Sequence, residues 1–325
     1  MYKLDMKDRR ILYELDFEAR QSLQQIGKKV GLPPDVVHYR IKRLEKEGII
    51  TGYTFIVDLG KLGRMDFRVY LKFQHYNDNI KKEIVEYLKA LDKVKWIADC
   101  YGAFDMVVGI ETNSIYEFGD VKDSLFSKID RYVLEKDIAT IVEVNAFRRT
   151  YFLGKDMLEL NEPLFVMGRS TKTEIDSTDI NILKKLAEKG KATIIEIAKE
   201  LGLTPRIVGY RIKELEKKGI VLGCRITINY EKLGIMLFKM LIYLQDKSTE
   251  GINERLETFK QYCKTHPNVL HYEKIFGNWD IEPAFEVSST EEMQKILNDI
   301  QNKFSDIVKR VETLTITKEH KFRYF

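Results

Sequence analysis

Two segments of the sequence carry side chains whose types and spacing suit contacts with a nucleic acid. Each segment begins at a proline that fits the first turn of a helix, Pro34 or Pro205, and ends at a glycine, Gly48 or Gly219. Apolar residues recur at helical spacing inside each segment, so one face of each predicted helix packs on a core. The other face carries basic, aromatic and imidazole groups, which can bind DNA phosphates and base edges.

The outward side chains divide by their position along the helix, because a recognition helix contacts bases mainly through its amino-terminal half. The predicted base-reading residues are therefore Asp35, His38, Tyr39 and Lys42 in the first segment, and Arg206, Tyr210 and Lys213 in the second. The predicted phosphate-binding residues are Arg43, Lys46 and Lys217. Arg40 and Arg211 lie beside the core stripe, so each could bind a DNA phosphate or an acidic residue of the first helix.

Two shorter helices are predicted before each basic helix. The first begins after an aspartate that can cap it, Asp5 or Asp176. The second opens at Ser22 or Thr193, each followed three residues later by Gln or Glu, which is the pattern of a capping box. Two short helices, a turn containing glycine and a basic third helix together form the helix-turn-helix pattern.

Positive charge is concentrated in these segments. Residues 1–52 contain eleven Lys/Arg and eight Asp/Glu, and residues 172–223 contain the same numbers, so each stretch has a net charge of +3. Since the whole chain is +4, the remainder sums to −2. This distribution favours a partner carrying phosphates, double-stranded DNA, over an inert helical bundle with a solvated basic face.

The chain repeats at a spacing of 171 residues. The stretch 4–15 matches 175–186, and 31–49 matches 202–220, with shorter matches continuing to the carboxyl ends. A shared spacing of this length indicates two copies of one unit, and hence a pseudo-dimer within one chain. We predict helix-turn-helix domains at 1–52 and 174–223, sheet domains at 53–153 and 224–325, and a linker at 154–173. Leu158, Leu160 and Phe165 make this linker apolar enough that we expect it to pack.

Each sheet domain shows the order β-α-β-β-α-β, which predicts a ferredoxin-like fold. In the first copy the expected strands are Phe67–Phe73, Val94–Tyr101, Asp105–Glu111 and Ala139–Phe147. The chain is therefore expected to be an α+β protein, a duplicated unit of winged helix-turn-helix plus ferredoxin-like domain. Because both helices lie on one face of such a sheet, the other face needs cover, and we expect the second copy to supply it.

The composition argues against several other classes of protein. No apolar run approaches the length of a membrane span, and the first residues lack the pattern of a secretion signal, so we expect a cytoplasmic protein without a membrane partner. The cysteines and histidines show no metal-binding spacing. No phosphate-binding loop or nucleophile motif is present. We therefore expect no metal, no cofactor and no enzymatic activity.

The sequence resembles the Lrp/AsnC family of feast/famine transcriptional regulators, over nearly the whole chain and twice. The residues that carry the resemblance are the Leu-Asp-x-x-Asp-x-x-Ile-Leu opening, positions 37–52, and a Gly-x-x-Asp turn in each sheet domain. The resemblance implies sheet domains of RAM type that pair back to back, and small effectors, often amino acids, that bind near that turn. It thereby implies four candidate effector contacts: Gly102, Asp105, Gly277 and Asp280. The alternative for these residues is that the glycine serves the turn and the aspartate caps it.

The sequence also departs from the family pattern. Family members usually carry one copy and dimerise, whereas two copies are fused here, so the halves can diverge; further homo-oligomers are still expected. Gly209 stands where the first copy has His38, which predicts an operator with unequal half-sites. Phe104 and Trp279 place large rings in the Gly-x-x-Asp turns, where they could fill the effector pocket. Pro283 predicts an edge or a bulge in its strand.

Two other functions fit parts of the sequence. Sirohaem decarboxylases are similar in organisation, and His271 lies where they carry a histidine on a strand. The accompanying arginine is not found, because Lys274 stands nearby, so His271 is interpreted as a partly buried strand residue. A chromatin-like architectural protein that binds DNA with little sequence preference would show the same distribution of charge.

Overall fold

The computed structural model describes residues 2–154, 164–168, 171–188, 190–245, 251–323 and 325. The elements of the first copy are α1 (Met6–Phe17), α2 (Leu23–Val30), α3 (Pro34–Lys46), β1 (Ile50–Val57), β2 (Met65–Phe73), α4 (Asp78–Ala90), β3 (Val94–Gly102), β4 (Met106–Thr112), α5 (Ile115–Ile129) and β5 (Val133–Ala146). β6 (Phe165–Met167) follows, and the second copy comprises α6 (Ser177–Glu188), α7 (Ile194–Leu201), α8 (Pro205–Lys217), β7 (Val221–Ile228), α9 (Tyr230–Leu233), β8 (Met236–Leu244), α10 (Ile252–Thr265), β9 (Val269–Phe276), β10 (Ala284–Val287), α11 (Thr290–Lys303) and β11 (Val308–Phe322).

The helix-turn-helix units begin and end as the local sequence dictates. Asp5 caps α1 by accepting a hydrogen bond from the backbone N–H of Asp8. Ser22 and Thr193 each close a capping box at the start of the second helix. Gly31 ends α2 in the left-handed conformation, with φ 68°, which a side chain rarely adopts. The turn before each recognition helix is therefore set by local chemistry.

A two-stranded antiparallel ribbon joins the two helix-turn-helix units. β1 pairs with β7, and Thr54 lies opposite Arg225. These two residues are equivalent in the 171-residue repeat, so the pairing is centred on a pseudo-twofold axis. The two recognition helices are consequently related by that axis, as the halves of a symmetric dimer would be.

Each strand of the ribbon packs against the helices of the other copy. Phe55 and Val57 of β1 lie in one core with Ile182 and Leu186 of α6. Ile226 and Ile228 of β7 lie in the core built around α1, α2 and α3. Neither helix-turn-helix unit therefore has a complete core of its own.

The sheet domains form one closed eight-stranded barrel. The strand order is β2-β4-β3-β11-β8-β10-β9-β5, and β5 pairs with β2 to close it. Each copy contributes four adjacent strands in the ferredoxin-like order, and the junctions are β3 with β11 and β5 with β9. The expectation that the second copy covers the open face of the first sheet is confirmed.

Apolar layers lie on both sides of the strands. α4 and α5 cover the outer face of the first sheet, and α10 and α11 cover that of the second. Inside the barrel, Phe104 and Trp279 are buried with Tyr70. The indole N–H of Trp279 donates to Glu282 at 2.9 Å. The rings of the two Gly-x-x-Asp turns thus fill the space between the sheets.

Pro283 interrupts a central strand. β10 lies between β8 and β9, so it is not an edge, and it begins only after the proline. The pairing with β9 shifts between Ala284 and Phe285. Since proline lacks the N–H that the ladder requires, the strand is short and irregular at this point, so the predicted irregularity is present but the strand is not an edge.

Part of the linker packs on the barrel. β6 pairs with the end of β5 on the edge opposite β9, and Phe165 is buried against Ile56 and Ala146. Leu158 and Leu160 lie outside the described residues.

Candidate nucleic-acid interface

The first recognition helix, α3, presents its predicted base-reading residues to solvent. Val37, Ile41 and Leu44 are buried. The side chain of Tyr39 is 66% exposed. Exposed with it are Asp35, His38, Lys42 and Lys46. This face combines two lysines, an imidazole and a phenol with no apolar cover, so it is free to enter a groove of DNA.

The second recognition helix, α8, has the same arrangement with different side chains. Tyr210 is 64% exposed. Arg206, Lys213 and Lys217 are exposed beside it. Arg206 replaces Asp35 at the amino-terminal end, which reverses the charge at the position nearest the bases. The two helices share a shape but differ in the chemistry that they present.

Arg40 and Arg43 are held by the first helix of their own unit. Arg40 donates to Asp5 at 2.7 Å and to Asp8 at 2.8 Å. Arg43 contacts both carboxylate oxygens of Asp8 at 2.7 Å. Asp8 is buried, so these bonds satisfy a carboxylate that water does not reach. The sequence predicts that Arg43 binds a phosphate, whereas in this structure its guanidinium binds Asp8.

The second copy keeps half of this arrangement. Arg211 donates to Asp176 at 2.7 Å and to Asp179 at 2.9 Å. The backbone N–H of Asp179 and the guanidinium of Arg211 lower the pKa of Asp176. Glu214 stands at the position of Arg43. The sequence predicts that Arg40 and Arg211 each bind either a DNA phosphate or an acidic residue of the first helix. In this structure each binds acidic residues of the first helix.

Two lysines that the sequence analysis did not identify each bind the carboxyl end of the recognition helix of the other copy. Lys232 donates to the backbone oxygen of Glu47 at 2.6 Å, at the carboxyl end of α3. Lys61 donates to that of Lys218 at 2.6 Å, at the carboxyl end of α8. A cation there complements the helix dipole and the free carbonyl groups. The repeated Lys-Leu-Gly triplets at 61–63 and 232–234 were the available signal, but only the fold shows that each lysine reaches the other copy.

The Gly-x-x-Asp turns use their aspartates internally. Asp105 accepts hydrogen bonds from the backbone N–H of Phe73 and the ammonium of Lys72, both at 2.8 Å. Asp280 accepts one from the backbone N–H of Leu244 at 2.9 Å. Gly102 has φ 123°, and a Cβ there would lie 2.4 Å from the backbone oxygen of Thr313.

Gly277 is also closely packed, since a Cβ at this position would lie 2.9 Å from that of Ala139. These contacts give all four predicted effector residues a structural role in shaping the ends of strands.

An open cleft lies beside Gly102. Its volume is about 780 Å³, and carboxylates and an arginine line it together. The charged and aromatic lining residues are Glu135, Asp137, Glu312, Arg310, Tyr243 and Phe104. The guanidinium of Arg310 lies 3.8 Å from the ring centroid of Tyr243. Opposite charges thus face one space near the first Gly-x-x-Asp turn.

His271 is a half-buried residue of β9. Burial, and then the positive charges of Arg225, Lys239 and Arg149, lower its pKa well below the ordinary value. The imidazole is therefore neutral at pH 7. Among the described residues, no group of three His, Cys, Asp or Glu side chains could hold a metal ion. In the described part of the chain no helix has the length and apolar character needed to cross a bilayer.

Comparison with known proteins matches both helix-turn-helix units. The family model for winged helix-turn-helix DNA-binding domains covers residues 4–51 and 175–221. An HTH-type transcriptional regulator of Pyrococcus horikoshii is 32% identical over 120 residues, which are 36% of this chain and 79% of that protein. The chain belongs to the Lrp/AsnC family of transcriptional regulators. Each such relative corresponds to one copy, so this Lrp/AsnC chain carries the family unit twice.

A second transcriptional regulator also matches one copy of the unit. The proline dehydrogenase transcriptional activator of Rhizobium radiobacter is 30% identical, covering 45% of this chain and 93% of that protein. Among solved structures, the sirohaem decarboxylase NirDL matches 97% of this chain and 92% of its own, with a TM-score of 0.63 and 13% identity. At that identity the match shows a shared duplicated fold, and the enzyme's activity does not carry over.

Proposed function

We propose that this chain is a sequence-specific, DNA-binding transcriptional regulator without enzymatic activity, which acts on DNA in the cytoplasm. The observation that supports this most is the pair of exposed basic helices related by the pseudo-twofold axis at Thr54 and Arg225. In this proposal α3 and α8 enter successive major grooves on one face of the duplex. Lys42, Lys46, Lys213 and Lys217 bind DNA, and the cross-copy contacts of Lys61 and Lys232 hold the spacing.

The two half-sites of the operator are proposed to be related but unequal. Asp35 favours an exposed cytosine amino group, whereas Arg206 favours guanine at the equivalent position. His38 adds a polar contact that Gly209 lacks. The first unit also presents Lys28 and Lys29 on α2, where α7 has Lys199 and Glu200. We therefore expect the first unit to contribute more of the binding free energy.

Fluorescence anisotropy tests the proposal, with the protein titrated on its own upstream promoter and on shuffled DNA from low to moderate salt. A preference of about a thousandfold or more that persists as salt rises is expected of a specific regulator. The double variants Lys42→Ala/Lys46→Ala and Lys213→Ala/Lys217→Ala should each weaken binding. Each should also reduce the salt slope by about one for every phosphate that the variant no longer neutralises.

Lys128→Ala is the matched control, because Lys128 is exposed on α5, away from both recognition helices. Equal affinity for promoter and shuffled DNA, collapsing with salt, would instead indicate the architectural protein. Failure of the chain to bind either DNA would disprove both.

An amino acid effector is proposed for the cleft beside Gly102. Arg310 can pair with an α-carboxylate, and Glu135, Asp137 or Glu312 with an α-ammonium group. Asp105, Gly277 and Asp280 would act by holding the turns that shape this end of the barrel. Calorimetry with the twenty amino acids tests it: Arg310→Gln should abolish binding, and Lys128→Ala should not. Heat that is unchanged in Arg310→Gln would exclude this site.

A further inference from the structure

A second cavity lies between the barrel and the ribbon, away from the cleft beside Gly102. Its volume is about 340 Å³. Its walls come from the end of β1, from β2, β3 and β5, and from the segment after β11. It therefore touches both the helix-turn-helix layer and the sheet layer of the molecule.

The pseudosymmetric position in the other half of the molecule is filled. There Arg149 follows β5 and is buried. Its guanidinium contacts Asp16 at 2.6 Å, Glu286 at 2.9 Å and the hydroxyl of Tyr230 at 3.2 Å. The space left beside this network is about 110 Å³. One half of the molecule thus closes the site with its own arginine.

The larger cavity exists because that arginine and its partners have been replaced. Phe322 pairs with Trp96 as Ala146 pairs with the equivalent residue His271, and the backbone N–H of Arg323 bonds to Lys95 as that of Phe147 bonds to Leu270. The sequence after β11 therefore offers no arginine at the place of Arg149. Leu59 replaces Tyr230, and Ala187 replaces Asp16. Only the carboxylate persists, as Glu111 in place of Glu286. The second copy therefore lacks the cation that would fill this space.

Buried polar atoms remain unsatisfied at the cavity. Glu111 is 3% exposed, and its Oε2 has no hydrogen-bond partner among the described residues. The Nε of Arg68, which also lines the cavity, is buried without a partner in the same described set. Buried polar groups in native proteins are normally paired, so the Nε–H of Arg68 lacks an acceptor, which an anionic ligand supplies, and the Oε2 of Glu111 lacks a donor.

Positive charge exceeds what the protein neutralises on this wall. Arg64 pairs with Glu111. Lys95 and Arg323 line the same cavity, and within the described residues neither side chain makes a hydrogen bond or an ion pair. Burial, and then the charges of Arg64 and Arg323, lower the pKa of Lys95, although Glu111 opposes this. Lys95 and Arg323 thus add positive charge beside the Arg64–Glu111 pair, in a lining that also contains Asp66 and Glu273.

Another part of the lining is apolar. The ring of Trp96 and the side chains of Met65, Ile141, Val144 and Met167 line it. Such a wall favours a ligand with a hydrocarbon or aromatic body, because burying that surface releases water. A phosphate or a free inorganic anion would leave this half of the cavity unfilled.

We propose that this cavity binds a small organic carboxylate with an apolar body, its carboxylate on Lys95 and Arg323 and its body against Trp96 and Met65. The ligand takes the place that Arg149 occupies in the other half, with the opposite charge. It touches Val57 and Leu59, which connect β1 to the barrel, so its binding stiffens the junction beneath the recognition helices. This site does not depend on the proposed function, because occupancy can be measured without DNA.

Calorimetry on the full chain tests the proposal, with phenylacetate and 4-methylpentanoate as probes. Their neutral amides test the need for charge, and malonate tests the need for an apolar body. One site per chain is expected for the two probes, with at least tenfold weaker binding of the amides and of malonate. Equal binding of probes and amides, or no binding of either probe at millimolar concentration, would overturn the proposal.

Two substitutions of residues that line the cavity make the test specific. Lys95→Leu installs the residue found at the equivalent position, Leu270, and should weaken binding at least tenfold. Phe322→Arg adds a long cationic side chain to the lining that includes Glu111, so binding should be lost while the melting temperature does not fall. Lys128→Gln on the outer face of α5 should change nothing. Unchanged affinity in both cavity variants would place the carboxylate elsewhere.

Discussion

At the scale of single residues, buried charge decides how the two copies hold together. Asp16 lies on α1, and it contacts Arg149 at 2.6 Å and Arg225 at 2.7 Å. Arg225 comes from β7 of the second copy, and Arg149 also binds Glu286 of the second sheet. Burial raises the pKa of Asp16, but the two arginines lower it by more, so it lies below its ordinary value. This network joins both helix-turn-helix layers to the barrel.

Removing the charge of Asp16 should therefore be costly. Asp16→Asn leaves Arg225 buried with neutral partners alone, although Arg149 keeps Glu286, and we expect a loss of about 3 kcal/mol or more in the free energy of unfolding. Urea denaturation measures it, with Asp123→Asn as a surface control. Because the folded pKa of Asp16 is lowered, its stabilisation is complete above the unfolded value and is lost as pH falls through the folded one. A change below about 1 kcal/mol would contradict this account.

Two histidines should make stability depend on pH in a higher range. Burial lowers the pKa of His266 to about 4, and that of His271 lies well below 6.5. A base with a lowered folded pKa stabilises the fold fully above its unfolded pKa, and the stabilisation decreases as pH falls below 6.5. We expect the melting temperature to drop between pH 6.5 and 4, and to drop less in His266→Gln. A flat profile for the native chain over this range would refute the prediction.

At the scale of elements, the two recognition helices differ in how well the sequence supports them. Gly209 lies inside α8, where glycine costs about 1 kcal/mol relative to alanine. A Cβ at this position would lie 3.6 Å from Ile194, which is an ordinary contact. Gly27 also lies inside a helix, but its Cβ would lie 2.5 Å from the backbone oxygen of Leu32.

The two glycines therefore predict opposite outcomes for the same substitution. Gly209→Ala should stabilise the chain by about 0.5–1 kcal/mol, because the helix gains propensity without a clash. Gly27→Ala should destabilise it, because the backbone of the turn must move. Thermal unfolding of both variants under one set of conditions measures the difference. Destabilisation by both, or stabilisation by both, would contradict the packing described here.

At the scale of the whole molecule, the chain corresponds to a dimer whose two subunits are fused in one polypeptide. The core around α1 is completed by Ile226 and Ile228 of the other copy. Their equivalents in the first copy, Phe55 and Val57, can perform the same role in a true dimer. A fragment of residues 1–153 should therefore fold as a homodimer through β1, with Thr54 opposite Thr54.

Light scattering of that fragment tests the prediction. The dimer should be less stable than the full chain, since Asp16 would face Thr54 in place of Arg225 and would keep Arg149 alone. A stable folded monomer would show that the exchanged strands are not required. Assembly of the full chain beyond one molecule remains a prediction. Tyr101 and Phe276 are equivalent residues, and each is 78% exposed. Substituting both with lysine tests whether this surface mediates assembly.

Local chemistry made much of this protein predictable from its sequence. The capping boxes at Ser22 and Thr193, the prolines that open α3 and α8, and the apolar spacing within these helices depend on interactions a few residues apart. The repeat identified two copies, and alternating strands and helices identified the ferredoxin-like order. The outward faces of α3 and α8 followed from helical geometry, because each core stripe leaves one side exposed.

The tertiary structure decided everything that depends on long-range pairing. Which strands meet at the barrel junctions, and that β1 completes the core of the other copy, depends on contacts between residues far apart in the chain. Its position on α3 alone predicts that Arg43 points outward and binds DNA. The sequence does not reveal that Asp8 of α1 lies close enough to bind its guanidinium. Phe322 and Arg149 appear as unremarkable residues at strand ends in the sequence. Only packing around the pseudo-twofold axis shows that Arg149 closes a site whose counterpart, lined by Phe322, stays open.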